Sequence, residues 1–334
     1  MVSATVRALP RPRTRHILHA IALIVGAVAL AILIDRLGRE GFERAILGTG
    51  RWFLVIAAID LVSVVCDAGG IYCFVRPLAK VSYWRVFAAQ ASGIAINRLT
   101  PGNSLGEPIK ITMLMAHVPE APAVSAVVMF NVASYLVAVS AIAVGVVITL
   151  LSVDLPGNAG IVVLVVTATM LALVGGLVVL ARRGALATLL RLGRTLRLLS
   201  DVRAERWGQR LAEIDGNIRR FGDASTRRAL LCAAGSRALN MTGALVILIA
   251  NGTDLTVPLV AGTLSVGILI TWISNVIPLG LGIADGGNYA LYGVLGASPG
   301  AGLEFAMINR VRTVVLASMG LAVMAISNVM DRKR

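Results

Sequence analysis

The sequence predicts an all-α polytopic membrane protein, with six spanning helices plus two re-entrant broken hairpins in an inverted repeat, and three observations carry that expectation. First, 57% of the 334 residues are hydrophobic and 14% are charged, at a mean hydropathy of +0.84, which leaves too little polar surface for a soluble globule. Second, apolar runs of spanning length recur along the chain, and the basic residues gather in segments between them, the pattern of a multi-pass protein. Third, two polar segments broken by proline and glycine, Asn97 to Lys110 and Asn275 to Asp285, stand in corresponding halves of the chain. A bilayer core has no water for unpaired backbone groups, so broken chain at that depth survives only inside protein or against a water-filled cavity. Two breaks in matching positions point to a binding site between the halves.

Taken in order, the head (Met1 to His16) carries Arg7, Arg11, Arg13 and Arg15 and precedes an apolar run from Ile17 to Ile34. Ala27-Val28-Ala29 resembles a signal-peptide cleavage site, but the run stays apolar beyond it to full spanning length and reads as the first span. Trp52 opens a second span that reaches about Val75 and contains Asp60 and Asp67. Tyr83 to Ile96 is too short to cross comfortably and runs straight into the first break, so a dip from the cytoplasmic face and back fits better. Ala121 to Leu151 and Gly160 to Ala181 each span, joined by Ser152 to Ala159, which has no Lys or Arg.

Residues 182–228 hold 12 arginines against five acids, which assigns them to the cytoplasmic face. Trp207, Leu211, Ile214, Ile218 and Phe221 recur there at helical spacing. Two readings fit the stripe: an amphipathic helix on the anionic leaflet, or a docking surface for a cytoplasmic enzyme partner. Ala229 to Ala250 spans again, Pro258 to Asn275 enters, the second break follows, and Glu304 to Met330 leads to a basic tail. A full crossing by 258–295 would leave that tail outside, against the positive-inside tendency; a re-entrant hairpin keeps it in the cytoplasm. The chain is then one integral membrane domain over residues 1–334, with residues 17–151 and 160–330 as repeats. Each repeat makes three crossings, an odd number that inverts one repeat relative to the other. Arg310 and Arg312 fall in the outer part of the last span in this scheme, where facing the cavity would accommodate them.

The formal charge of +14 is spread over short segments between apolar spans, without the aromatic interleaving of a nucleic-acid groove, so no nucleic acid partner is expected. Cys66, Cys73 and Cys232 form no CxxC pair, and His16, His19 and His117 have no metal-site spacing, so no metal or cofactor is expected. No nucleophile sits in an activating context, which argues against an enzyme.

Candidate site residues come from the two breaks and from charges inside spans. The first break offers Asn97, Arg98, Pro101, Gly102, Gly106, Glu107 and Lys110; the second offers Asn275, Pro278, Gly280, Gly282 and Asp285. A half-helix starting near Pro101 or Gly102 would turn free N–H groups and a positive dipole end toward an anion, with Arg98 and Lys110 adding charge. Glu107 lies three residues before Lys110, within pairing distance on a helix; the alternative is an interfacial salt bridge with no further role. Asp60 and Asp67 share a helix face and, with Arg237, are candidates for proton coupling, unless solvation near the span ends makes them ordinary. Asn131, Tyr135, Asn240, Asn288 and Tyr289 read as interhelical hydrogen-bonding groups or as ligands.

Pro101-Gly102-Asn103-Ser104-Leu105-Gly106-Glu107-Pro108-Ile109-Lys110 resembles the proline, Gly-Glu and basic pattern of the lysylphosphatidylglycerol synthetase transmembrane, or flippase-like, family. Ile277 to Asp285 is similar to its second, proline-glycine-acid motif. Asp285 stands where that family usually has glutamate, and Lys110 where arginine is common. The resemblance implies an integral membrane protein that moves lipids or lipid-linked intermediates across the bilayer, without the cytosolic aminoacyl-transferase domain some members carry. The expectation is translocation of an anionic or polyprenyl-phosphate-linked lipid headgroup across the cytoplasmic (inner) membrane, with both termini cytoplasmic. The alternatives are a secondary transporter of a small anionic solute, and a non-catalytic membrane partner of a lipid-modifying enzyme.

Overall fold

The computed structural model describes residues 12–37, 43, 48–103, 105–183, 212–218, 223–274 and 282–332, and among these the regular structure is entirely helical. Helices α1 (Pro12–Leu37) and α2 (Trp52–Val75) come first. Helix α2 ends at Val75: Arg76 keeps helical angles, but Pro77 after it has no N–H with which to extend the helix. Helix α3 (Tyr83–Leu99) also ends before a proline, here with Thr100 driven to the extended region ahead of Pro101. A single 3-10 turn, Pro101–Asn103, carries the chain around, with Gly102 and Asn103 at positive φ (66° and 50°). Helix α4 (Gly106–Leu114) then begins, with Pro108 tolerated in the first turn because no intrahelical acceptor awaits its missing N–H. The sequence suggests a start near Pro101 or Gly102; two consecutive left-handed residues delay it to Gly106.

Helices α5 (Glu120–Ser152) and α6 (Ala159–Arg183) follow, α5 being about 50 Å long. After a short helical stretch at 212–218 come α7 (Asp223–Ala250), α8 (Val257–Leu264) and α9 (Val266–Ser274). The Thr256 hydroxyl caps α8 by accepting from the Leu259 N–H at 3.3 Å. The second break lies mostly outside the described residues, and Asn275, Pro278 and Gly280 with it. Gly282, at φ 85°, precedes α10 (Ile283–Val294), and α11 (Pro299–Arg332) closes the chain.

Six helical segments among the described residues have the length and composition to cross a membrane: Trp52–Val75, Glu120–Ser152, Ala159–Val179, Ala224–Ala250, Val257–Ser274 and Pro299–Asp331. The first span expected from the sequence falls in α1, whose stretch His19–Ile32 is apolar. One segment goes beyond the sequence expectation: α8 and α9 together reach 18 residues, although a kink at Ser265 divides them.

Two apolar cores sit toward opposite ends of the long helices. One wraps α3 and α4 with the second half of α2, the start of α5 and the later turns of α11, through Phe74, Val86, Ile96, Leu114, Val127 and Leu321. The other wraps α8, α9 and α10 with the first turns of α2, the end of α7 and the first half of α11, through Ile56, Leu248, Leu259, Tyr292, Leu295 and Phe305. The chain enters and leaves the α3–α4 hairpin at one end of the bundle: Asp331, at the end of α11, meets both Arg85 in the first turn of α3 and His117 just after α4. Leu259 near the start of α8 and Leu295 with Ala297 after α10 belong to the other core, beside Trp52 and Val153. Helix pairings also recur between the halves. Helix α2 packs on α5 and α11, as α7 packs on α11 and α5; α3 meets α4 as α9 meets α10; α1 packs on α11 as α6 packs on α5.

The 212–218 stretch lies against the start of α5. Ile214 and Ile218 are buried with Ala121, and the Ser125 hydroxyl approaches the Ile214 carbonyl at 3.4 Å. This part of the apolar stripe therefore faces the protein, while Trp207, Leu211 and Phe221 lie outside the described residues.

Candidate functional site

Between the two cores is a cavity of about 470 Å³, lined by middle turns of α2, α5, α7 and α11 and by residues flanking both breaks. That volume falls within the range of small-molecule sites. Charged residues Asp60, Asp67, Arg98, Lys110, Arg237, Arg310 and Arg312 line it, beside Tyr135 and Trp272, which meet edge to face at 6.3 Å.

At the first break, Gly93 of α3 and Gly106 of α4 let the two backbones touch: a Cβ on Gly106 would lie 2.1 Å from the Gly93 carbonyl oxygen. That crossing brings Asn97 over the first turn of α4, where its Oδ1 accepts from the Gly106 N–H at 2.6 Å and its Nδ2 donates to Glu107 Oε1 at 3.2 Å. Lys110 Nζ donates to the same oxygen at 2.7 Å, and Asn131 Nδ2 of α5 donates to Oε2 at 2.7 Å. Asn97 thus caps a helix it does not belong to, and both Glu107 oxygens are occupied. A carboxylate in the first turn also suits the positive end of α4. The Gly106 amide and the Lys110 ammonium, at 4% residue exposure, are consequently committed within the protein.

The second break repeats this plan with different residues. Asp285, in the first turn of α10, accepts from Arg310 of α11 at 2.5 Å and from the Gly282 N–H at 3.3 Å. Arg310 is the twelfth residue of α11 and Asn131 the twelfth of α5. In each half, then, the acid that opens the half-helix is held from the same position on the following long helix.

Deeper in the wall, Asp60 of α2 (2% exposed) takes both prongs of the Arg312 guanidinium, Nε at 2.6 Å and a terminal nitrogen beside it. Arg312 also donates to Asn240 Oδ1 at 3.2 Å, Asn240 Nδ2 donates to Ser63 Oγ at 2.6 Å, and the Ser63 and Ser236 hydroxyls meet at 2.9 Å. A bidentate pair whose remaining hydrogen-bonding capacity is filled is the arrangement in which a buried ion pair persists.

Arg98 and Arg237 differ. Both line the cavity, and neither makes a hydrogen bond or salt bridge with a described residue. Arg98, at the end of α3, is exposed at the cavity, where it feels the charges of Asp60 and Asp67 as well as those of Arg312 and Arg237. Asp67 accepts from Gln90 Nε2 at 3.3 Å, and Lys110 and Arg237 are cations whose charge it feels.

The structure thus gathers Asp60, Asp67, Asn97, Arg98, Lys110 and Arg237 around one cavity, with Glu107 bonded into its wall. Gly102 is in the turn below it, and Asp285 is reached through Arg310. Pro101 opens that turn. Reading the residues in order misses Gln90 and Trp272 as lining groups, and it marks Arg310 and Arg312 as cavity-facing without naming their partners. The signal for the arginines was present, since a cation inside an apolar run needs a partner; the identity of that partner was not. Among the described residues no group of three His, Cys, Asp or Glu side chains converges.

Comparison with curated proteins and with solved structures finds no match. A family model described as the lysylphosphatidylglycerol synthase TM region matches residues 19–320, a stretch that includes both breaks, the cavity and every charged residue in its wall. The chain belongs to the lysylphosphatidylglycerol synthase TM region family, a multi-pass family associated with membrane lipids.

Proposed function

We propose that this protein translocates the anionic headgroup of a lipid across the cytoplasmic membrane by way of the central cavity, and that it does so without covalent chemistry. The observation that carries the reading is the pair Arg98 and Arg237: two guanidinium groups that face a cavity of about 470 Å³ with no protein acceptor among the described residues. An unpaired cation at membrane depth is costly, and a phosphate or similar anion offers a guanidinium a bidentate partner. Lys110, Glu107, Asn97 and the glycines at 102 and 106 then serve as the scaffold of the first break, and Asp285 with Arg310 as that of the second.

Membrane placement supports the reading. Helices α4 and α10, at nine and twelve residues, are about 14 and 18 Å long, too short for a core of about 30 Å. Each belongs to a hairpin whose two ends share one end of the bundle. We read these as re-entrant hairpins from opposite faces, related by an inverted repeat, so that one cavity can open to either side. The recurring helix pairings and the matched Asn131 and Arg310 positions support that relation.

The test uses protein reconstituted in vesicles carrying headgroup-labelled lipids, with the label's accessibility followed over time. Wild type accelerates exchange of anionic or polyprenyl-phosphate lipids, and Arg98→Ala and Arg237→Ala each slow it, while the fold is retained. No acceleration across that lipid panel overturns the reading; uptake of a soluble anion by the same vesicles replaces it with solute transport.

A further inference from the structure

We infer that the kink between α8 and α9 is a binding site for a small monovalent cation of sodium size, formed by the side chains of Thr263, Asn288 and Tyr292 with carbonyl oxygens at the end of α8. Three side-chain oxygens here are buried and unpartnered: Thr263 Oγ1, Asn288 Oδ1 and the Tyr292 hydroxyl, on residues exposed 2%, 2% and 0%. Buried oxygens of this kind carry a desolvation cost unless something meets them. Helix α8, which carries Thr263, packs on α10; Asn288 sits one turn before Tyr292 on α10, and Thr263 and Asn288 both reach the wall of the central cavity. Asn288 already donates its amide to the Ala284 carbonyl at 2.7 Å, which leaves Oδ1 facing the gap as an acceptor only.

The backbone adds to this acceptor set. Ser265 interrupts the helix, with φ −123° and ψ −76°, and its hydroxyl covers the Ala261 carbonyl at 2.6 Å. The carbonyls of Gly262 and Leu264 then lack the amide four residues on that a continuous helix would supply. The Gly262 oxygen and Asn288 Oδ1 both lie within 4 Å of the point where a Cβ on Gly267 would stand, at 3.7 and 3.9 Å. The end of α8 is also the negative end of its dipole. Acceptors thus outnumber donors at this buried edge of the cavity, the setting in which unwound carbonyls and half-helix ends hold a cation. The ligands are neutral oxygens, and the nearest acid on α10, Asp285, is already engaged by Arg310. A divalent ion would call for carboxylates; a monovalent one does not.

The site stands independently of what the cavity transports, and its test reads binding alone. The full chain, purified in detergent, is titrated with radioactive sodium, and its thermal midpoint is followed in sodium chloride against choline chloride at equal ionic strength. Wild type binds sodium saturably and its midpoint rises with sodium. Thr263→Val, which keeps the shape and removes the hydroxyl, weakens binding at least about tenfold; Asn288→Asp, which adds a charge at constant volume, tightens it. Absence of saturable sodium binding by wild type overturns the site, as does wild-type affinity in both variants, and either result leaves water as the occupant. Should Thr263→Val fail to fold, Asn288→Asp still decides.

Discussion

Asp60 and Arg312 are 252 positions apart in the chain yet form a bidentate pair inside the cavity wall. Removing either charge strands the other in a medium that cannot solvate it, at a cost of about 3–5 kcal/mol for a buried pair, whereas replacing both with apolar groups of similar volume often costs little. Asp60→Leu or Arg312→Met alone should therefore lower the thermal midpoint of the detergent-solubilised protein sharply, and the double variant should recover most of the loss. Equal losses in the singles and the double would show that the charges are solvated from the cavity and do not depend on one another. The same pair marks what the sequence could and could not reveal. Asp60, Asp67, Arg98 and Arg237 stand out as charges in apolar or broken chain, because their cost is a local property. That Asp60 belongs to Arg312, and that Arg98 and Arg237 have no such partner, depends on which helices pack side by side, and no local pattern encodes it.

Gly93 and Gly106 are what hold the first hairpin closed. A Cβ at Gly106 would meet the Gly93 carbonyl oxygen at 2.1 Å and the Asn97 side chain at 2.3 Å. Backbone cannot step aside as a flexible side chain can, so Gly106→Ala must push α4 off α3 and break the Asn97 cap, an overpacking cost of about 1–3 kcal/mol or more. Gly102→Ala is the comparison: it meets nothing within 4 Å and bears only the left-handed φ of 66°, about 1–2 kcal/mol. Thermal unfolding of the two variants should rank Gly106→Ala as the more destabilised, and the reverse order would show that the α3–α4 contact is loose. The break itself was legible from Pro101, Gly102, Gly106 and Pro108. Its internal boundary was not, since Asn103 adopts a positive φ that its type permits without requiring. The α8–α9 kink was hidden for a different reason: Ser265 sits in a continuous apolar run with no proline at the bend, so hydropathy reads straight through it. Ile214 and Ile218 were visible as a stripe, but periodicity cannot say whether such a face meets lipid or protein.

At the scale of the whole molecule, the ion pair between Arg85 and Asp331 places the start of α3 with the end of α11, and His117 joins them at 3.7 Å from the same carboxylate. The 212–218 stretch packs on the start of α5 at that end. The loop from 153 to 158 and the loop from 251 to 256 belong to the other end, since Val153, Leu259 and Trp52 share its core. Only the first group carries the arginine-rich 182–228 segment, and basic loops stay on the cytoplasmic side. In a variant lacking Cys66, Cys73 and Cys232, single cysteines at Leu155 and Asp254 should therefore react with an impermeant maleimide on intact cells. Cysteines at Lys80 and His117 should react only after permeabilisation. If α8 and α9 crossed the bilayer and α10 did not return, the chain after residue 295 would emerge opposite Asp254. Helix α11 would then end outside, away from Arg85, so a fifth cysteine at Ala297 separates the two cases. Labelling of Ala297→Cys together with Asp254→Cys from outside supports the hairpin; labelling of Ala297→Cys with Lys80→Cys only after permeabilisation would remove the inverted repeat, and with it the cavity open in turn to either face.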